Sequence, residues 1–133
     1  MGLVLDSSAL VELERADDAV ERLWSYHTPL YLSAITVAEM LIGIGLADTK
    51  ARADWRRERF ARIQEITEII PFGADLAREY AEIFCELRRA GKAIPQNDLI
   101  IAATALFHSH VVLVGSGGES HFAQVPRLSV VKL

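Results

Sequence analysis

Residues 94–106 read Ile94-Pro95-Gln96-Asn97-Asp98-Leu99-Ile100-Ile101-Ala102-Ala103-Thr104-Ala105-Leu106, and this stretch decides the fold. From Leu99 onward it is apolar on nearly every side of a helix, and such a helix belongs in the middle of a domain. The proline just ahead, with Asn97 as N-cap, fixes where the helix begins. Asp98 then lies in the first turn, at the positive end of the helix dipole, which favours the ionised carboxylate. A charge at the edge of a core is costly without a partner. Yet no Lys or Arg lies within five residues of Asp98 on either side. The stretch therefore poses a question: what answers this charge, and is the partner a metal?

Working outward, Val111-Val112-Leu113-Val114 reads as a buried strand, followed by a Gly/Ser loop at 115–118 and a short terminal strand over Leu128–Val131. Ahead of the central helix, Leu76, Tyr80, Ile83, Phe84 and Leu87 recur at helical spacing between Gly73 and Ala90, and Gly91 closes that helix. At the start of the chain, Gly2-Leu3-Val4-Leu5 is an apolar strand ending at Asp6; Asp6, Ser7 and Ser8 can each cap the helix through Ala9–Leu13. Ala16-Asp17-Asp18 opens a second helix carrying Val20, Leu23 and Trp24. Leu30–Ser33 is a second strand, Thr36 opens a helix running to Ile44, Asp48–Glu65 is a long charged helix, and Ile66–Ile70 is a third strand. Strands alternating with helices imply right-handed βαβ crossovers. The expected fold is α/β, a three-layer α/β/α sandwich with a mainly parallel central sheet of four to five strands, formed by one domain over residues 1–133. In such folds chemistry gathers beyond the carboxyl ends of the strands.

Composition narrows the classes. With 133 residues, 51% of them hydrophobic and 24% charged, the chain has the balance of a globular domain rather than a disordered one. The single cysteine, Cys85, permits no internal disulfide or cysteine metal site and suggests a reducing, intracellular setting. The first residues have no basic flank and meet an acid after a short apolar run, unlike a signal peptide. No apolar run approaches membrane-spanning length, roughly 20 residues. A net charge of −4 argues against a generally basic nucleic-acid binder but leaves room for local, metal-assisted contacts.

Three acids stand out: Asp6, Glu39 and Asp98. Each has a structural reading of its own. Asp6 can be an N-cap, Glu39 can close a capping box begun by Thr36, and Asp98 can serve the helix terminus. Together they are harder to dismiss, because each falls at the start of a helix that the fold can bring to one rim. Clustered carboxylates repel, and a hard divalent cation relieves them; oxygen-only ligands suit Mg²⁺ or Mn²⁺ rather than zinc. Competing chemistry is thin. His27, His108, His110 and His121 show no zinc-ligand spacing, and the 115–118 loop lacks the lysine of a P-loop. Arg52, Arg56 and Arg59 share a face of the long helix, with Arg57 and Arg62 nearby. Interleaved Asp54, Glu58 and Glu65 favour a solvated, paired surface over a phosphate-binding one. Trp24 and Trp55 read as core or interface anchors.

With these acids placed, the chain resembles a PIN-domain ribonuclease of the VapC type, the toxins of bacterial toxin–antitoxin pairs. The resemblance runs along the whole length. Val4-Leu5-Asp6-Ser7-Ser8-Ala9-Leu10, Thr36-Val37-Ala38-Glu39-Met40-Leu41-Ile42-Gly43, Ile94–Ala105 and Phe122–Val130 match the family's motifs in order. It implies that Asp6, Glu39 and Asp98 bind Mg²⁺ or Mn²⁺ and catalyse cleavage of RNA phosphodiesters. Ser7 and Ser116 are carried over as substrate-binding hydroxyls. It also implies a cognate antitoxin, a homodimer, a cytoplasmic location and no membrane. One departure matters. Where the family usually has Asp or Asn before the Phe, this chain has Gly118, and the nearest acid is Glu119. Either Glu119 takes the fourth carboxylate role, or the site has three acids and a weaker second metal position; the rival reading that Gly118 favours is a catalytically weakened PIN-like RNA- or protein-binding module.

Overall fold

Five parallel strands in the order β3-β2-β1-β4-β5 form the sheet of the computed structural model, which describes residues 1–133 apart from the side chain of Glu119. The strands are β1 (Leu3–Leu5), β2 (Leu30–Ser33), β3 (Glu68–Ile70), β4 (Val111–Val114) and β5 (Val130–Lys132). The helices are α1 (Ser7–Glu14), α2 (Ala19–Trp24), α3 (Ala34–Gly45), α4 (Lys50–Glu65), α5 (Ala74–Arg89), α6 (Gln96–His108) and α7 (Glu119–Phe122). The expected α/β/α sandwich is present, with every strand pairing parallel.

The two faces of the sheet follow the period of two in the strands. Leu3, Leu5, Leu30, Leu32 and Leu113 face one core with Leu10, Leu13, Phe60 and Ile63 of α1 and α4. Val4, Val112 and Val114 face the other, with Ile83 and Leu87 of α5 and Leu99, Ile101 and Ala105 of α6. Helix α6 is the buried helix its composition requires: Leu99 and Ile101 through Ala105 are all inaccessible. Beside β1 the order of strands reverses, since β2 and β3 lie to one side and β4 and β5 to the other. That reversal opens a crevice at the carboxyl ends of β1 and β4. Asp6 follows β1 directly, and Gly115 follows β4.

Several boundaries differ from the sequence reading for identifiable reasons. Helix α3 starts at Ala34, because the hydroxyl of Ser33 accepts from the Ile35 N–H at 3.3 Å. Thr36 is therefore a buried residue inside the helix, and the expected capping box does not form. Helix α6 starts one residue ahead of Asn97: Pro95 occupies the cap position without a side-chain hydrogen bond, and its carbonyl accepts from Leu99 at 3.0 Å. Ile66 and Thr67 finish α4 rather than begin β3, with Thr67 Oγ1 donating to the Ile63 carbonyl at 3.0 Å. The short α7 has no counterpart among the expected elements. Trp24 and Trp55 are exposed, so neither is a core anchor.

Candidate active site

Asp6 is placed by β1, whose three residues are all buried. As N-cap of α1 it accepts through Oδ2 from the Ser8 N–H at 3.1 Å and from Ser8 Oγ at 2.5 Å. The capping role is thus real, but it occupies one oxygen only. Oδ1 is buried and has no hydrogen-bond partner. Burial pushes the carboxyl pKa up, the Ser8 hydrogen bonds pull it down, and the charge of Asp98 pushes it up again.

Glu39 lies well inside α3, with no helix end to cap. Its Oε1 is also buried and unpartnered. Burial raises its pKa, a hydrogen bond from the Asn97 side chain opposes this, and the charges of Asp6 and Asp98 add to the rise. Asp98 sits in the first turn of α6, where its Oδ2 lies 2.6 Å from Nδ1 of His121. The three carboxylates therefore share one electrostatic neighbourhood at the crevice. Among the described residues no Lys or Arg forms an ion pair with any of them.

This arrangement suits a hard divalent cation in its chemistry: oxygen donors, mutual repulsion and two buried oxygens lacking partners. It is not a finished cage. Among the described residues no group of three His, Cys, Asp or Glu side chains is drawn together as a ready ion site.

The loop after β4 is tied to α1. Gly115 N–H donates to Ser8 Oγ at 3.0 Å, and Ser116 N–H donates to Glu12 Oε2 at 2.9 Å. The Ser116 side chain is exposed at this rim. A Cβ added to Gly118 would overlap Ser8 Oγ and lie 3.0 Å from Ser8 Cβ and 3.2 Å from Val114 Cβ. The missing acid thus coincides with a place where the loop rests directly on α1. The side chain of Glu119, the candidate replacement, lies outside the described residues. Ser7 opens instead onto a groove of about 840 Å³ between α1, α3 and α4, which Glu39, Arg15, Arg52, Trp55 and Arg56 also line.

Three residues that hold the acids went unread in the sequence as site residues: Ser8, Asn97 and His121. The first two lie inside the motif stretches that carry the resemblance; His121 belongs to no spacing pattern. The basic helix divides. Exposed pairs join Lys50 and Arg57 to Asp54, Arg52 to Asp48 and Arg62 to Glu58. Arg56 and Arg59 instead turn inward onto the backbone carbonyls of Gly43, Glu14 and Ala16.

The PIN domain family matches residues 3–128, nearly the whole of the sheet and the crevice just described. The chain belongs to the PIN-domain family. Among its relatives, Ribonuclease VapC1 of Rickettsia felis is 30% identical over 113 residues, covering 85% of this chain and 84% of that protein. Toxin FitB of Neisseria gonorrhoeae is 37% identical over 101 residues, covering 72% and 71%. In fold, the chain is similar to the crystal structure of VapBC2 from Rickettsia felis bound to a DNA fragment from their promoter. The TM-score is 0.84 at 23% identity, with 100% of this chain and 99% of that one covered.

Proposed function

We propose that this chain is a Mg²⁺- or Mn²⁺-dependent endoribonuclease and the toxin of a type II toxin–antitoxin pair. The observation that carries the reading is the set of Asp6, Glu39 and Asp98 at the strand-order reversal, mutually repelling and unpaired by any described Lys or Arg. The names of the relatives, ribonuclease and toxin, support the substrate class and the biological setting.

Asp6 Oδ1 and Glu39 Oε1, the buried oxygens without partners, and the Asp98 carboxylate would hold the cation. When bound, that ion supplies Lewis-acid chemistry: it makes an attacking water more acidic and offsets charge developing on the phosphate. Ser8 and Asn97 keep one side of Asp6 and of Glu39 engaged, which orients the free oxygens. Arg15 and Arg52 at the groove rim give an acidic chain local cations for the phosphates flanking the scissile bond. The cognate antitoxin would cover the acidic crevice or the groove between α3 and α4, and the toxin would pair as a homodimer. No helix among the described residues is long and apolar enough to cross a membrane.

Incubating the protein with structured RNA and Mn²⁺, beside Asp6→Asn and Asp98→Asn, tests the assignment. Wild type should cut while both variants lose activity by orders of magnitude; equal cleavage by all three would sink it. Gly118 favours one alternative, a PIN-like RNA- or protein-binding module without turnover. That module would retain RNA affinity yet give no heat on calorimetric titration with Mn²⁺.

A further inference from the structure

We infer that His121 is a positioning residue, whose imidazole holds the Asp98 carboxylate in the orientation the site needs; the inference rests on the reading of Asp98 as a cation ligand. Nδ1 of His121 lies 2.6 Å from Asp98 Oδ2, which with the proton on Nδ1 is a short, charge-assisted hydrogen bond. Among the described residues the Asp98 carboxylate takes no other hydrogen bond or ion pair. The second oxygen therefore remains available while the first is fixed.

Asp98 needs such a restraint. The N-terminus of α6 has no side-chain cap, so its free backbone N–H groups compete for a carboxylate in the first turn. An Asp98 that folded back onto its own helix would turn away from Asp6 and Glu39. His121 opposes that by engaging Oδ2 at 2.6 Å. It can do so because its neighbour Phe122 is buried at 1% exposure, in the same apolar cluster as Leu99, the residue after Asp98. Phe122 and Leu99 thus anchor, one residue away, the two side chains that meet. The imidazole itself stays half exposed, so the contact is not a core requirement. Ser8 on Asp6 and Asn97 on Glu39 complete the pattern: each acid is held by one neighbour.

The test uses Mn²⁺ alone as probe, followed by RNA cleavage, on wild type, His121→Ala, His121→Asn and Asp98→Asn. An Asn amide nitrogen can occupy the place of imidazole Nδ1, whereas Ala leaves Asp98 free. His121→Ala should weaken calorimetric Mn²⁺ affinity by about ten- to a hundredfold, lower kcat at saturating RNA with little change in KM, and leave the metal-free melting temperature unaltered. His121→Asn should recover affinity and rate to within a few-fold. If His121→Ala titrates like wild type while Asp98→Asn loses binding, the role of His121 is overturned and the cation site stands. Equal damage from Ala and Asn also overturns it, because the hydrogen bond would not be what the imidazole supplies. A wild type that takes up no Mn²⁺ removes the cation site and the inference with it.

Discussion

Replacing Gly118 by Ala separates a glycine retained for space from one that merely fills a loop. Gly118 is not among the residues with positive φ, so the backbone accepts a side chain and any penalty is steric. The added methyl would overlap Ser8 Oγ and come within 3.0 Å of Ser8 Cβ and 3.2 Å of Val114 Cβ. Ser8 cannot yield freely, because its hydroxyl donates to Asp6 at 2.5 Å and accepts from Gly115 at 3.0 Å. Overpacking of this kind costs about 1–3 kcal/mol. Stiffening the unfolded chain returns roughly 0.4–1 kcal/mol. The net loss is then about 1–2 kcal/mol, read as a fall of roughly 3–10 °C in melting temperature for a domain of this size.

The assay is a thermal melt of metal-free protein, with Ser8→Ala and the double variant alongside. If the collision is with the Ser8 hydroxyl, the double variant loses less than the sum of the two single variants. A Gly118→Ala protein that melts at or above wild type would refute the steric account. Gly118 would then be an accidental loss of an acid, and the loop would have room for a carboxylate. The same substitution should weaken Mn²⁺ binding, since displacing the Ser8 hydroxyl removes the side-chain hydrogen bond that orients Asp6 Oδ2.

Two further outcomes follow from groups outside the crevice. His110 accepts from the Gly2 N–H at 2.9 Å through Nδ1 and stacks on Tyr31. Burial first, then His108 and the N-terminal amine, push its pKa below the ordinary 6.5. The unfolded chain therefore takes the proton first as pH falls, so this contribution is complete above the unfolded value and is lost as pH drops through the depressed one. The melting-temperature gap between wild type and His110→Asn should narrow from about pH 7 to about pH 5; a gap that widens contradicts the assignment. Arg59→Ala should destabilise by about 1–3 kcal/mol in chemical denaturation, because Arg59 donates to the backbone carbonyls of Glu14 and Ala16 at the end of α1. Arg57→Ala, on an exposed pair, should stay within about 0.5 kcal/mol, and equal losses would show that the inward turn of Arg59 does not matter.

What the sequence displayed and what it concealed divide along a physical line. β2 and β4 were legible to the residue because each is an apolar run ended by a polar or glycine position. α6 was legible because few arrangements can bury a helix that is apolar all round. The caps were not. Ser33 and Thr36 carry equivalent hydroxyls, and only the end of β2 decides which one meets a free N–H. Asn97 lost its cap role the same way and reappeared as a partner of Glu39. His121 was invisible for a stronger reason: its contact spans 23 residues of chain and depends on a four-residue helix without its own periodicity. Resemblance to the family marked the acids, and its motif stretches contain Ser8 and Asn97, yet they leave out His121.

The charge on Asp98 is answered in two parts. His121 is its protein partner, but a half-exposed imidazole leaves the repulsion among Asp6, Glu39 and Asp98 standing. Arginine is not in short supply nearby. Arg56 lines the same groove as Glu39, yet its guanidinium donates to the Gly43 carbonyl at 2.7 Å and lies 3.8 Å from Glu14. A fold that needed its acids only as structural ion pairs could have met them with that side chain. Instead two carboxylates keep buried oxygens without partners, an arrangement that destabilises the metal-free chain. Such a cost in stability, concentrated at the crevice where the strand order reverses, is what the proposed cation site would ask of the domain.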